Sequence, residues 1–286
     1  MQLPRRLIPL LACLLLAACA ASTISPGVQV TPVPTVIAPH RGPILVQYCI
    51  DDTGSYPRGD FYIANRLVAN NLAQAVQPNT DGLTLYATLI TSNTFDPSNS
   101  LAPFVIPAVA NYPTLPTPIP TPVQDNPVSY SATASAVANQ QSADIAAYNG
   151  QMASTNAQVQ TTRIQVTADA KRLTSWNPRI DATATSVWGC LQLARQRFTG
   201  LPGTKYLIIA SDMQNNTNVD YTADFQAAQA LKGVIVHVIF YVCENAGDCG
   251  GLTAYWHHVF QASGAQSITF DDPAQSQAIP DLFGGA

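Results

Sequence analysis

Charge is scarce in this sequence. Only 10 % of its 286 residues are Asp, Glu, Lys or Arg, and the formal net charge is −4. No basic field is available to hold a nucleic-acid backbone, whose binding depends on several Lys or Arg contacts to phosphate. Nucleic acid is therefore not an expected partner. Beyond Cys19 no apolar run approaches the ~20 residues that a bilayer-spanning helix needs. Zinc spacing is missing as well: no C-x2-C pair occurs, and the four histidines are not at ligand spacing. His257 and His258 are neighbours on a predicted helix, about 100° apart, and cannot easily share one metal. His237 alternates within an apolar run and is expected to satisfy a hydrogen bond in the fold. No Ser-His-Asp or Cys-His set is identifiable, and the adjacent Asp51-Asp52 lacks the D-x-D-x-T spacing of phosphoryl-accepting aspartates, so no enzymatic activity is expected. Gly200-Leu201-Pro202-Gly203-Thr204-Lys205 has the wrong spacing for a phosphate loop and Pro202 removes an amide donor; it reads as a turn.

What is present begins at the amino end. Arg5 and Arg6 precede an apolar run, Leu7 to Ala18, too short to span a bilayer comfortably, so residues 1–18 read as a cleaved export signal. The run closes in Leu16-Ala17-Ala18-Cys19, which resembles the lipobox of bacterial lipoproteins. That resemblance implies acylation of Cys19, with palmitate-type chains holding the protein on the outer face of a cell membrane or on an outer membrane. Each buried methylene contributes about 0.8 kcal/mol, so more than one chain gives durable anchoring. Residues 19–42, with Pro26, Pro32, Pro34 and Pro39, then read as an extended spacer. Of six cysteines, Cys13 leaves with the signal and Cys19 is acylated, and the remaining four invite disulfides in an exported chain. Cys243 and Cys249 bracket a turn-prone loop and are expected to form a local bridge, with free thiols the alternative. Cys49 and Cys190 are expected to be two buried thiols rather than a bridge.

From Ile44 onward, short and nearly continuous apolar runs alternate with amphipathic segments. Strands are expected at Ile44–Ile50, Leu83–Thr91, Tyr206–Ala210, Val234–Val242 and Ser267–Phe270, with helices near Asp60–Val76, Ala223–Leu231 and Thr253–Ala262. Such alternation indicates an α/β fold with a doubly wound, mostly parallel sheet covered on both faces. The domain is read as residues 43–272, with 273–286 a C-terminal tail. Phe104–Ala110, broken by Pro107, is expected as an edge strand.

Residues 112–176 interrupt the domain. Pro113, Pro116, Pro118, Pro120 and Pro122 exclude a central strand, and residues 132–175 follow without a proline. Ile145, Met152, Val159, Val166 and Leu173 recur every seven residues, placing one apolar side chain per heptad on a single stripe of a helix. Unbroken, that helix reaches roughly 66 Å, though Asn149-Gly150 could split it. It either leans on the domain or projects toward a partner.

The chemistry concentrates where the first strand runs into Asp51-Asp52-Thr53-Gly54-Ser55. Asp51, Thr53 and Ser55 alternate, so an extended strand end can aim all three side chains one way. A carboxylate and two hydroxyls suit a hard cation such as Mg²⁺ (or Mn²⁺ or Ca²⁺), although Thr53 or Ser55 could instead cap the next helix. The stretch resembles the D-x-S-x-S motif of von Willebrand factor A domains and their metal ion-dependent adhesion site. Thr185-Ser186-Val187-Trp188-Gly189-Cys190-Leu191 resembles the family's threonine loop, and Tyr206 to Ser211 followed by Asp212 resembles its fourth strand and aspartate. The resemblance implies a site of Asp51, Thr53, Ser55, Thr185 and Asp212. Thr53 and Ser55 would bind directly and the aspartates mostly through water, leaving a position for an acidic ligand. Three departures stand out: Thr53 in place of serine, Met213 after the aspartate where glycine is common, and Thr183 competing with Thr185.

Two functions are compatible with this reading. One is a membrane-anchored adhesion module that engages a protein or other acidic ligand supplying a carboxylate to the metal. The other is an assembly subunit of a cell-envelope complex that uses the helical insertion as its contact, with the metal only stabilising.

Overall fold

The computed structural model describes residues 42–78, 81–120, 127–177, 184–217, 222–243 and 249–283. The export signal 1–18, Cys19, the spacer up to residue 41 and Thr183 lie outside them.

Strand β1 (Ile44–Asp51) is buried along its whole length, as an apolar run requires when both faces of a sheet are covered. It pairs in parallel with β2 (Leu83–Ile90) on one side and with β4 (Thr204–Ala210) on the other. β5 (Val234–Ile239) and β6 (Ser267–Phe270) extend the parallel arrangement, and β3 (Phe104–Ile106) adds an antiparallel edge to β2. The order is β3-β2-β1-β4-β5-β6. β3 stops at Ile106, short of the expected Ala110, because Pro107 has no N–H to donate to the ladder.

Side chains of β1 alternate between two cores. Val46, Tyr48 and Ile50 join Phe61, Val68 and Leu72 of α1 (Arg58–Gln74) and Val159, Val166 and Leu173 of α2 (Pro127–Thr174). Leu45 and Cys49 point the other way, toward Trp188 and Leu191 of α3 (Val187–Phe198), Phe225 of α4 (Thr222–Ala227) and Trp256 of α5 (Cys249–Ala262). The fold is therefore α/β and doubly wound, and the chain changes direction across the sheet between β1 and β4. Open sheets of this kind bind ligands in the crevice beyond the carboxyl ends of the strands at that switch point.

α2 is one unbroken helix of 48 residues, with no split at Asn149-Gly150. Its Thr155, Val159, Thr162, Val166, Ala170 and Leu173 are buried, whereas residues 131–154 are exposed or half-buried. The seven-residue stripe holds only partly. Val159, Val166 and Leu173 are in the core, Met152 is half-buried, and Ile145 is 46 % exposed. A straight helix drifts about 20° per heptad, so Ile145 stands roughly 80° off the line through Leu173.

Two corrections concern the rest of the chain. Cys49 and Cys190 are not separate thiols: they form a disulfide across a sequence separation of 141, alongside the expected Cys243–Cys249 bridge. β1 and α3 pack face to face in the second core, which brings their Cα atoms to 6.2 Å, within bridging range. The segment from residue 273 also packs onto the domain instead of trailing it. It forms α6 (Pro273–Gln277), buries Leu282 and Phe283 in the first core, and donates the Leu282 amide to Asn71 Oδ1 at 2.7 Å.

His237 fills the role expected of it. Its Nδ1 lies 2.9 Å from Thr269 Oγ1 on the neighbouring strand and its ring stacks on Tyr206. Burial holds its pKa below the usual value, against the opposing pull of Asp271. A depressed imidazole pKa contributes stability above about pH 6.5 that is lost as the pH falls through the folded-state value. His237→Gln is expected to flatten the fall in melting temperature between pH 7 and 5; an unchanged slope would contradict this. His257 and His258 are exposed on α5. Among the described residues no helix is long and apolar enough to cross a membrane.

Candidate functional site

β1 ends in Asp51, and the next residues turn away from the sheet before α1 begins at Arg58. α1 has Pro57 as its N-cap and no side-chain cap bond, so Thr53 and Ser55 are not spent on capping. They face the strand end instead. Asp51 Oδ1 accepts from the Thr53 amide at 3.0 Å and from Thr53 Oγ1 at 2.7 Å. Thr53 Oγ1 lies 3.2 Å from Ser55 Oγ and accepts from Thr185 Oγ1 at 3.1 Å. Four of the five expected residues thus form one continuous chain of oxygens.

The fifth, Asp212, follows β4 and is buried. It sits close enough to Asp51 for its charge to oppose ionisation there. The Asp51 carboxyl is pushed up to about 6, first by burial and also by Asp212, while hydrogen bonds from Ser211 and Thr53 pull the other way. Asp212 Oδ1 accepts from the Gln214 amide at 2.9 Å.

Several supporting residues were not singled out in the sequence. Ser211 donates to Asp51 Oδ2 at 2.7 Å, tying the end of β4 to the end of β1. Asn216 Oδ1 accepts from the Thr185 amide and the Asn216 amide donates to the Thr185 carbonyl, which joins the threonine and aspartate loops. Asp52 is buried in an ion pair with Arg58. The Tyr56 hydroxyl, buried within electrostatic reach of Asp51 and Asp212, has no hydrogen-bond partner among the described residues. Sequence spacing carries no signal for Asn216 or Arg58. Ser211, adjoining the aspartate, was within reach.

Met213 explains its own departure from glycine. It adopts φ 61°, the left-handed region where glycine is ordinarily found. Its amide donates to Ser211 Oγ at 2.9 Å, its carbonyl accepts from Trp256 Nε1 at 2.8 Å, and its side chain is fully buried. Packing and two hydrogen bonds hold a conformation that sterics disfavour.

The threonine loop rests on the loop after β2. Ser186 caps α3 by accepting from the Gly189 amide, donates its own amide to the Thr91 carbonyl at 3.1 Å, and accepts from Thr94 Oγ1 at 3.2 Å. A Cβ on Gly189 would lie 2.7 Å from Thr94 Cβ. Gly189→Ala is expected to destabilise the fold by about 1–3 kcal/mol through overpacking. An unchanged urea midpoint would show that the loop yields freely.

The donor set can be tested against a cation. Among the described residues no cluster of three or more His, Cys, Asp or Glu could hold a metal, so any site here depends on hydroxyls. Adjacent ligands of an octahedral ion with 2.0–2.1 Å bonds lie about 2.9 Å apart. The separations from Thr53 Oγ1 to Ser55 Oγ and Thr185 Oγ1, 3.2 and 3.1 Å, fall near that value. Asp212 raises the cost of ionising the buried Asp51 carboxyl, so positive charge beside the pair is favoured. The residues fit a hard divalent ion. Beside them a cleft of about 520 Å³ opens, lined by Asp52, Thr91, Asn93, Asp96 and Trp176 among others.

The doubly wound sheet thus gathers carboxylates and hydroxyls at its switch point. No protein-family model matches the chain, and no curated protein matches it. Among solved structures it is similar to an aerotolerance-related membrane protein from Bacteroides fragilis, at 14 % identity and TM-score 0.39, over 82 % of this chain and 94 % of that one. It is similar also to the VWA domain of SpRpn10, at 9 % identity and TM-score 0.35, over 84 % and 90 %. A third is proximal thread matrix protein 1 of the mussel byssus, at 11 % identity and TM-score 0.39, over 83 % of this chain and 43 % of that one.

Proposed function

We propose that this protein is a membrane-tethered, extracytoplasmic binding module that engages an acidic ligand through a divalent cation held by Asp51, Thr53, Ser55, Thr185 and Asp212. The observation that carries the reading is the chain of oxygens from Asp51 through Thr53 to Ser55 and Thr185, at the carboxyl ends of the strands beside the switch point. Magnesium, or manganese or calcium, bound there supplies a Lewis-acidic position for an incoming carboxylate. Thr53, Ser55 and Thr185 offer neutral oxygens, which leave a cation's charge largely unquenched. Asp51 and Asp212 supply the negative charge that attracts the ion, and Ser211 and Thr53 orient Asp51. The two disulfides suit an oxidising compartment outside the cytoplasm, in keeping with a lipid on Cys19.

The exposed stretch of α2 supports a second reading, an assembly subunit whose contact is that helix. Pull-down of envelope partners with and without chelator separates the two. Under the proposal, chelation and Asp51→Ala each abolish capture, while Ile145→Glu on the exposed stretch leaves it intact. Capture that survives chelation and is lost with Ile145→Glu would replace the adhesion reading by the assembly one.

A further inference from the structure

A second cleft, of about 280 Å³, opens at the opposite edge of the sheet, at the amino ends of β4 and β5. Arg195, Lys205 and Lys232 line it, and no Asp or Glu does. The whole chain has only 13 Lys and Arg against 17 Asp and Glu, so three cations around one small cleft are a marked concentration. Among the described residues none of the three forms an ion pair.

Among the described residues none of the three side chains donates a hydrogen bond. The cleft adjoins the carboxyl end of α3, where basic side chains commonly satisfy the last carbonyls. Here the Arg195 carbonyl accepts from the Thr199 amide at 3.1 Å and from Thr199 Oγ1 at 2.6 Å, and the Phe198 carbonyl accepts from the Leu201 amide at 3.3 Å. Two of the helix's last four carbonyls are thus satisfied without a cation. Arg195 is half-buried with its guanidinium 5.9 Å from the centre of the Phe225 ring, and Lys205 is half-buried at the start of β4. The turn from Gly200 to Gly203, with φ of 72° and 104° at its glycines, leads the chain past the cleft to Lys205.

An arginine fork and two ammonium groups without a carboxylate among them match a compact, multiply charged oxyanion. The volume lies just below the roughly 300–1,000 Å³ of sites for drug-sized ligands, which favours one or two phosphate groups over a nucleotide. We propose that this cleft binds a compact phosphate-bearing anion, free or as a lipid headgroup, independently of the cluster at the other edge of the sheet.

The test uses the full chain in chelator, with pyrophosphate compared against chloride at matched ionic strength. At tenfold excess over Kd, pyrophosphate is expected to raise the melting temperature of the wild type by about 3–6 °C. Lys205→Gln/Lys232→Gln is expected to lose that rise. Lys232→Glu alone, at an exposed position, guards against a folding defect at Lys205 and is expected to reduce the rise. An equal rise in wild type and variants, or none in the wild type, overturns the proposal. Flotation with phosphatidylglycerol against phosphatidylcholine vesicles then names the source. Weaker flotation of the double variant on the anionic vesicles indicates a headgroup, and unchanged flotation together with a lost pyrophosphate response indicates a soluble phosphate.

Discussion

Magnesium in hundredfold excess over its Kd is expected to raise the melting temperature of the wild type by about 5–10 °C and to leave Asp51→Ala unmoved. Mass action sets the scale: a ligand at that excess stabilises by about 2.7 kcal/mol, and each kcal/mol shifts a domain of this size by about 2–4 °C. Asp51 is the residue to remove because both its oxygens are engaged, one by Thr53 and the other by Ser211. Its loss leaves those hydroxyls without an acceptor, at about 1–3 kcal/mol for a buried group. The variant's starting temperature therefore moves as well, and the difference with and without magnesium is the quantity to read. Thr53→Val is the sharper control, since it keeps the shape and deletes one oxygen from the centre of the chain. Equal magnesium shifts in all three proteins would remove the metal from the account.

Loss of the Cys49–Cys190 disulfide is expected to lower stability by up to about 5 kcal/mol, against about 2 kcal/mol for Cys243–Cys249. The difference follows from loop closure in the unfolded chain, over 141 residues in one case and 6 in the other. Cys49→Ala/Cys190→Ala should fall by about 10–20 °C in melting temperature. Both sulfur-bearing residues of the long bridge are fully buried, whereas Cys243 and Cys249 are half-buried. Dithiothreitol under native conditions should accordingly reduce the short bridge first, which alkylation and mass measurement can follow. The long bridge joins β1 two residues before Asp51 to α3 five residues after Thr185. Its loss is expected to weaken magnesium binding without touching a ligand. A double variant that melts with the wild type would refute the weight given to this cross-link.

Much of the fold was legible because its causes are local. Continuous apolar runs mark strands buried on both faces, and Pro107 stops β3 where its missing N–H must. The expected residues of the candidate site come together for a different reason than strand alternation: β1 ends at Asp51, a turn closed by the Tyr56 amide on the Thr53 carbonyl brings Thr53 and Ser55 back toward it, and the sheet brings Thr185 and Asp212 alongside. What was not legible depends on distance through space. Nothing near Cys49 announces Cys190, since only the packing of α3 on β1 brings them together. Asn216 and Arg58 act through side chains reaching across loops, and a sequence carries no register for that. The stripe through Ile145 misled because a straight helix drifts off a period of seven, so the face carrying Val159, Val166 and Leu173 into the core has turned away by Ile145. Leu282 and Phe283 are far in sequence from Asn71 and the first core, and only the structure shows that they join them.

The most direct test is to count the ions. Manganese added to the metal-free full chain and followed by electron paramagnetic resonance should show one tightly held ion per wild-type molecule, competed by magnesium, and none in Thr53→Val or Asp51→Ala. Binding of equal stoichiometry in the wild type and both variants would contradict the assignment of Asp51, Thr53, Ser55, Thr185 and Asp212 as the cation's site.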